Sequence, residues 1–212
     1  MGDGKAKRET EVKLVVGSPA QARRLLYRAG FRVSRRRRRE DNLVFDTPSR
    51  TMQRRGLLLR LRRSGGESIL TYKGPAEGGV YKSRRELETV VGDPVVLERL
   101  LRELGYQVSF RYEKVRTEFL CTLRGGTANL DETPIGTFLE LEGEPRWIDS
   151  IAAKLGFSKE SYIIDSYGSL YRSSLPAGSS HAREMVFPRR KRSLRLSPPR
   201  MGVGAPPSTP LG

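Results

Sequence analysis

The chain has 212 residues, with 40 Lys+Arg against 24 Asp+Glu, a formal charge of +16, one cysteine and one histidine. The lone Cys121 excludes an intramolecular disulfide and a cysteine-based zinc cluster, and His181, in a low-complexity stretch, leaves catalysis in the folded part to carboxylates, cations, hydroxyls or a metal. No apolar leader opens the chain, no membrane-length apolar run interrupts it and no G-x-x-x-x-G-K-[ST] loop is present, so a soluble cytoplasmic protein with no membrane partner and no P-loop is expected.

The first predicted strand, 8–16, alternates with period two, which puts Glu9, Glu11 and Lys13 on one face and Val12 and Leu14 on the other. A helix follows from the N-cap Ser18 and Pro19 to the stop residue Gly30, with Ala22, Leu25, Leu26 and Ala29 as its apolar face. Strand 33–46 begins in the run Arg35 to Arg39. Strand 57–64 sets Arg60 and Arg62 opposite Leu59 and Leu61, strand 67–74 carries Lys73, and strand 80–91 carries Arg84, Glu86 and Glu88. The second helix, Asp93-Pro94 to Gly105, repeats the grammar of the first with a stripe of Leu97, Leu100, Leu101 and Leu104. Both helices lead through Gly-aromatic-x-Val-Ser into a basic strand, which marks an internal repeat. Strand 108–121 holds Lys114 and Arg116, strand 127–132 holds Asp131, and strand 137–143 holds Glu140 and Glu142 around Leu141. A third helix spans Trp147 to Leu155. Residues 174–212 are rich in Pro, Ser, Gly and Arg without apolar periodicity and read as a disordered basic tail after a domain at 1–173.

Eight strands and few helices predict an α+β fold, a closed eight-stranded antiparallel β-barrel with helices packed outside. The signs on the charged faces are sorted, with cations on some strands and carboxylates on others, whereas solvated faces mix them. If those faces line the barrel, a ligand must neutralise them, because unpaired buried charge is heavily penalised. Lys13, Arg60, Arg62, Lys73, Arg84, Lys114 and Arg116 suit a polyanion. Glu9, Glu11, Asp131, Glu140 and Glu142 suit a hard divalent cation, Mg²⁺ or Mn²⁺.

In this order the motifs Glu9-x-Glu11-x-Lys13, Phe45-Asp46-Thr47, Leu59-Arg60-Leu61-Arg62, Leu70-Thr71-Tyr72-Lys73-Gly74-Pro75 and Arg84-x-Glu86-x-Glu88 lead into a second set. It comprises Lys114-x-Arg116, Leu130-Asp131-Glu132, Gly136-x-Phe138-x-Glu140-x-Glu142-Gly143 and Ser166-Tyr167. The series resembles the CYTH family of triphosphate tunnel metalloenzymes, which includes class IV adenylyl cyclases and thiamine triphosphatases. The resemblance implies that Glu9, Glu11, Asp131, Glu140 and Glu142 hold the metal. It implies that Lys13, Arg60, Arg62, Lys73, Lys114 and Arg116, joined by Arg84, grip the phosphates of a triphosphate-containing small molecule.

Glu9, Glu11, Lys73 and Glu88 are the candidate catalytic residues, while Glu86 and Glu88 could bind a second metal, orient a water or pair with arginines. Hydrolysis of a nucleoside, inorganic or thiamine triphosphate is expected, since it demands less of the site than cyclisation. The alternatives are a class IV adenylyl cyclase that makes cyclic AMP and pyrophosphate, and a non-catalytic polyphosphate or nucleotide-binding module. The basic runs Arg35 to Arg39 and Arg189 to Arg192 lack the aromatic set of a single-strand binder, so nucleic acid is expected only as nonspecific attraction by the tail. A homodimer is left open.

Overall fold

The computed structural model describes residues 7–121, 125–176, 179 and 183–188. Period-two alternation becomes eight long strands: β1 Lys7–Val16, β2 Arg32–Asp46, β3 Leu58–Ser64, β4 Glu67–Lys73, β5 Lys82–Val90, β6 Gln107–Leu120, β7 Gly126–Thr133 and β8 Gly136–Gly143. The helices are α1 Pro19–Arg28, α2 Thr51–Arg54, α3 Pro94–Glu103, α4 Pro145–Lys154 and α5 Tyr167–Ser174. Ser18 caps α1 by accepting from the Gln21 N–H, and Asp93 caps α3 by accepting from the Val95 and Val96 N–H groups, each followed by proline in the first turn.

The strands run in the order β2-β3-β4-β5-β1-β8-β7-β6, and β6 returns to pair with β2, so an antiparallel barrel closes with no free edge among these eight. The internal repeat is visible in this pairing. Units β1-α1-β2-β3-β4 and β5-α3-β6-β7-β8 exchange places in the strand order, with β1 beside β5 and β2 beside β6. Shifts of register interrupt the β2–β6 ladder between Val33 and Arg35 and between Arg35 and Arg38, where the arginine run lies.

The apolar core sits outside the barrel wall. Val12, Leu14, Leu130, Leu139 and Leu141 point outward and pack with Ala22 and Leu26 of α1 and with Trp147, Ile148 and Ile151 of α4. Each such fully buried Leu or Ile contributes about 1.5–3 kcal/mol by leaving water. A smaller cluster sets Leu43, Phe45 and Leu61 against Leu101 of α3.

The repeat is not matched in how its helices are covered. On α3 only Leu101 of the expected stripe is buried; Leu97 is partly covered, while Leu100 and Leu104 are exposed at 54% and 73%. The α1 side has α4 packed over the same core, which supplies the cover that α3 lacks. Period 3.6 gives a helix its apolar stripe and cannot reveal how much of it a neighbour covers. Two further helices, α2 and α5, and a short strand β9, Glu184–Met185, carry no strong periodic signal. β9 lies within the stretch whose composition reads as tail. It nevertheless pairs in parallel with β6 and buries Met185 completely among Phe110, Tyr112, Phe138 and Tyr167, so the disorder expected of 174–212 does not hold there. His181 and the basic run from Arg189 lie outside the described residues.

Candidate functional site

Closing the sheet turns one face of every strand inward, and alternation decides which side chains arrive there. They surround a cavity of about 1240 Å³. β1 contributes Glu9, Glu11 and Lys13; β3 contributes Arg60 and Arg62; β4 contributes Lys73. Arg84, Glu86 and Glu88 come from β5, Lys114 and Arg116 from β6, and Glu140 and Glu142 from β8. Every sequence-predicted site residue except Asp131 therefore lines one cavity.

Asp131 was expected among the metal ligands, but it does not line the cavity. It is wholly buried, and its oxygens are taken by Arg116 Nε at 2.7 Å, Arg116 Nη2 at 2.6 Å, Lys114 Nζ at 2.9 Å and the Tyr167 hydroxyl at 2.8 Å. Its place in the alternation of β7, opposite Arg116, makes it the support behind two lining cations.

The wall carries its own counter-ions. Lys13 Nζ stands 3.0 Å from Glu11 and 3.7 Å from Glu140, Lys73 pairs with Glu9 and lies 3.1 Å from Glu86, and Arg116 reaches Glu140 at 2.8 Å. Glu142 is held by Lys7 at 2.6 Å. Glu88 accepts from the Thr71 hydroxyl at 2.6 Å and lies 3.6 Å from Arg60 and 3.7 Å from Arg62.

Burial alone would push the buried carboxyls up, yet Lys13 beside Glu11 holds it at about 2, and Arg116 with Lys13 holds Glu140 well below the usual carboxylate range. Burial likewise opposes the charge on Lys13, but Glu11 and Glu140 raise its ammonium above the ordinary value. Glu86 differs: burial dominates there, Lys73 pulls the other way, and the carboxyls of Glu9 and Glu88 help to leave it at about 7.

Three participants were not read from the sequence. Lys82 lines the cavity 3.5 Å from Glu11, and burial together with Lys13 lowers it to about 8. Its signal was available, since Lys82-x-Arg84-x-Glu86-x-Glu88 is one alternating face. Tyr112 donates no obvious sequence signal, yet its hydroxyl takes a hydrogen bond from Arg60 at 3.2 Å. Glu40 is fully buried with both carboxylate oxygens lacking hydrogen-bond partners, 3.6 Å from Lys114 across the β2–β6 ladder. Burial opposes its ionisation, but Lys114, Arg116, Arg62 and Arg60 bring it to about 2.

Glu9, Glu11, Glu140 and Glu142 offer only carboxylate oxygens to the cavity, the donor set that hard divalent cations prefer. Among the described residues no three acidic, histidine or cysteine side chains are grouped as a ready metal cluster, because each of these carboxylates leans on a lysine or arginine. The donor chemistry fits such a cation. Among the described residues no helix is long and apolar enough to cross a membrane.

Comparison with known proteins places these features in context. The family model described as the CYTH domain matches residues 7–167. A protein of Methanocaldococcus jannaschii named "putative adenylate cyclase" is 26% identical over 170 residues, which cover 75% of this chain and 95% of that one. A solved structure from Pyrococcus horikoshii superposes with a TM-score of 0.68 at 26% identity, covering 79% of this chain and 99% of that one. A Hippeastrum structure, described as a "putative adenylyl cyclase" that reveals a dominant triphosphatase activity, superposes with a TM-score of 0.58 at 22% identity, covering 79% and 98%.

Proposed function

Since the chain belongs to the CYTH domain family, we propose that it is a metal-dependent enzyme that hydrolyses a triphosphate held inside the barrel. The observation that carries this reading is the inner wall itself, where Lys13, Arg60, Arg62, Lys73, Arg84, Lys114 and Arg116 converge on one cavity with the carboxylates of Glu9, Glu11, Glu86, Glu88, Glu140 and Glu142. A wall of fixed cations stabilises a polyphosphate and, more strongly, the charge that develops as a phosphorus–oxygen bond breaks.

In this mechanism Lys114 and Arg116, anchored by Asp131, are preorganised to hold phosphate oxygens without moving. Arg60, steadied by Tyr112 and Thr71, and Arg62 grip from β3, one strand away across β2. Glu9, Glu11, Glu140 and Glu142 would hold the divalent cation, Mg²⁺ or Mn²⁺. When bound, such an ion supplies neutralisation of phosphate charge and a lowered pKa for a water ligand. Lys13 and Lys73, freed from their carboxylates, turn to the substrate. Glu86 and Glu88 remain as carboxylates that orient the attacking water, and Glu86, at about 7, is suited to accept its proton.

Adenylyl cyclisation is the second reading, favoured by the name of the M. jannaschii relative. The dominant triphosphatase activity stated for the Hippeastrum protein supports hydrolysis on the same fold. The deciding experiment incubates the protein with ATP, inorganic triphosphate and thiamine triphosphate, each with Mg²⁺ or Mn²⁺, and measures phosphate, pyrophosphate and cyclic AMP. Release of terminal phosphate is expected. Cyclic AMP and pyrophosphate as main products overturn the hydrolase reading, and no turnover with any metal replaces it with a binding module.

A further inference from the structure

The two ends of the cavity differ in how their cations are answered. Where β6 and β8 finish, Lys7 pairs with Glu142 at 2.6 Å and Arg35 with Glu118 at 3.6 Å. Where β2 finishes and β6 begins, Arg50, Arg172 and Arg183 line the cavity from three separate segments, the β2–α2 loop, α5 and the approach to β9. Among the described residues none of these three stands in an ion pair with a carboxylate.

Two carboxylates also line this mouth, and neither pairs with these arginines among the described residues. Asp46 accepts from the backbone N–H groups of Thr47, Met52 and Gln53 at 2.7, 2.8 and 2.9 Å, and Asp165 is exposed and makes no ion pair among the described residues. Arg50 is the one non-glycine residue with positive φ among those described, at +56°, and is held there by its N–H to Thr47 O at 2.8 Å and by Arg54 N–H to its own carbonyl at 3.0 Å. The Arg172 guanidinium lies 5.7 Å from the centre of the Phe110 ring. Burial, then the charge of Arg50, lowers its affinity for a proton, and no carboxylate contributes. Guanidiniums that feel each other's charge and outnumber the acids of this mouth, none of which pairs with them among the described residues, form a seat for an anion. Phe110 is already engaged by Tyr112, stacked at 5.9 Å, and by Arg172, so recognition here works through charge rather than base stacking.

We propose that this mouth is a second anion subsite, which takes a phosphoryl group carried beyond the three held in the barrel, so that a linear chain of four or more phosphates binds better than triphosphate. The inference rests on the triphosphate reading of the barrel and extends it to the length of the chain.

The test is calorimetric binding of inorganic triphosphate and tetraphosphate to the whole protein, without metal and at fixed ionic strength. The wild-type protein should bind tetraphosphate about tenfold tighter, the order of one partly solvated charge-assisted contact. In the double variant Arg50→Asn, Arg172→Gln the ratio should fall toward one; asparagine tolerates the left-handed backbone, and melting temperature checks the fold. Arg36→Gln, which removes an exposed charge away from the cavity, should keep the wild-type ratio. Equal affinity for both chains in the wild type, or an unchanged ratio in the double variant, overturns the subsite and leaves the barrel reading standing. Failure of either chain to bind overturns the barrel reading itself.

Discussion

Asp131 on β7 lies directly across the sheet from Arg116 on β6 and grips it through two hydrogen bonds of 2.7 and 2.6 Å, from a position with no solvent contact. The carboxylate shares one of these oxygens with Lys114, so a single buried anion fixes two cavity cations.

Asp131→Asn should therefore lower stability by about 3–5 kcal/mol, the cost of leaving buried charge without its partner. Urea unfolding measures it. Inorganic triphosphate should recover much of the loss, because its oxygens replace the missing counter-charge; a variant as stable as wild type sinks the assignment.

Glu11→Gln and Lys13→Ala should separate two roles that share one 3.0 Å ion pair. The first should reduce turnover about a hundredfold or more while metal-free triphosphate affinity holds or rises, since a negative charge has left the wall. The second should mainly weaken triphosphate binding. Wild-type turnover in Glu11→Gln would falsify the metal-site reading.

The pH dependence of metal-free binding follows from Lys82 and Glu86. Lys82, at about 8, is charged below that pH and loses its proton above it. Glu86, at about 7, is neutral below that pH and adds negative charge above it. Both changes act in the same direction, so triphosphate affinity should fall as pH rises from 6 to 9. A bound polyanion favours protonated Lys82, so the decline due to this residue begins near 8 and levels off above the higher pKa of the complex. Lys82→Met should flatten the upper part of the titration and Glu86→Gln the lower part; a wild-type profile in both excludes these groups as its source.

Gly143→Ala should cost about 3 kcal/mol, the upper end of overpacking penalties. A Cβ at Gly143 would meet the Gly125 carbonyl oxygen at 2.3 Å and the Trp147 ring at 3.0 Å. Facing it, a Cβ at Gly126 would meet the Glu142 carbonyl oxygen, also at 2.3 Å. Thermal unfolding checks this, and an unchanged midpoint would show that the β7–β8 end can open to make room.

The strands were legible because period-two alternation survives on both faces of a barrel wall. Glu9, Glu11 and Lys13 face in while Val12 and Leu14 face out, and the same reading identifies the inward residues of β3, β5, β6 and β8. Alternation tells which side of the sheet a residue takes, but not how deep along the wall it sits or what it meets there. Alternation thus places Asp131 among the inward acids without showing that Lys114 and Arg116 of β6 take its oxygens, and Glu40 gives no sign of facing Lys114 because the β2–β6 pairing joins residues 74 apart in a ladder with three shifts of register. α5 and β9 were missed because their burial comes from Tyr167 and Met185 meeting Phe110 and Phe138, contacts between distant segments that leave no local period.

The lysine–carboxylate pairs on the inner wall also constrain how this sequence can drift. With Lys73 tied to Glu9 and Glu86, and Lys13 to Glu11 and Glu140, loss of one member strands an opposite charge where water is scarce. Substitutions inside the barrel should therefore be tolerated as couples, a cation and an acid departing together, whereas the apolar outer face can exchange one aliphatic residue for another singly. A relative that has abandoned the chemistry would be recognised by coordinated erasure of whole pairs, with its helices and outer leucines intact.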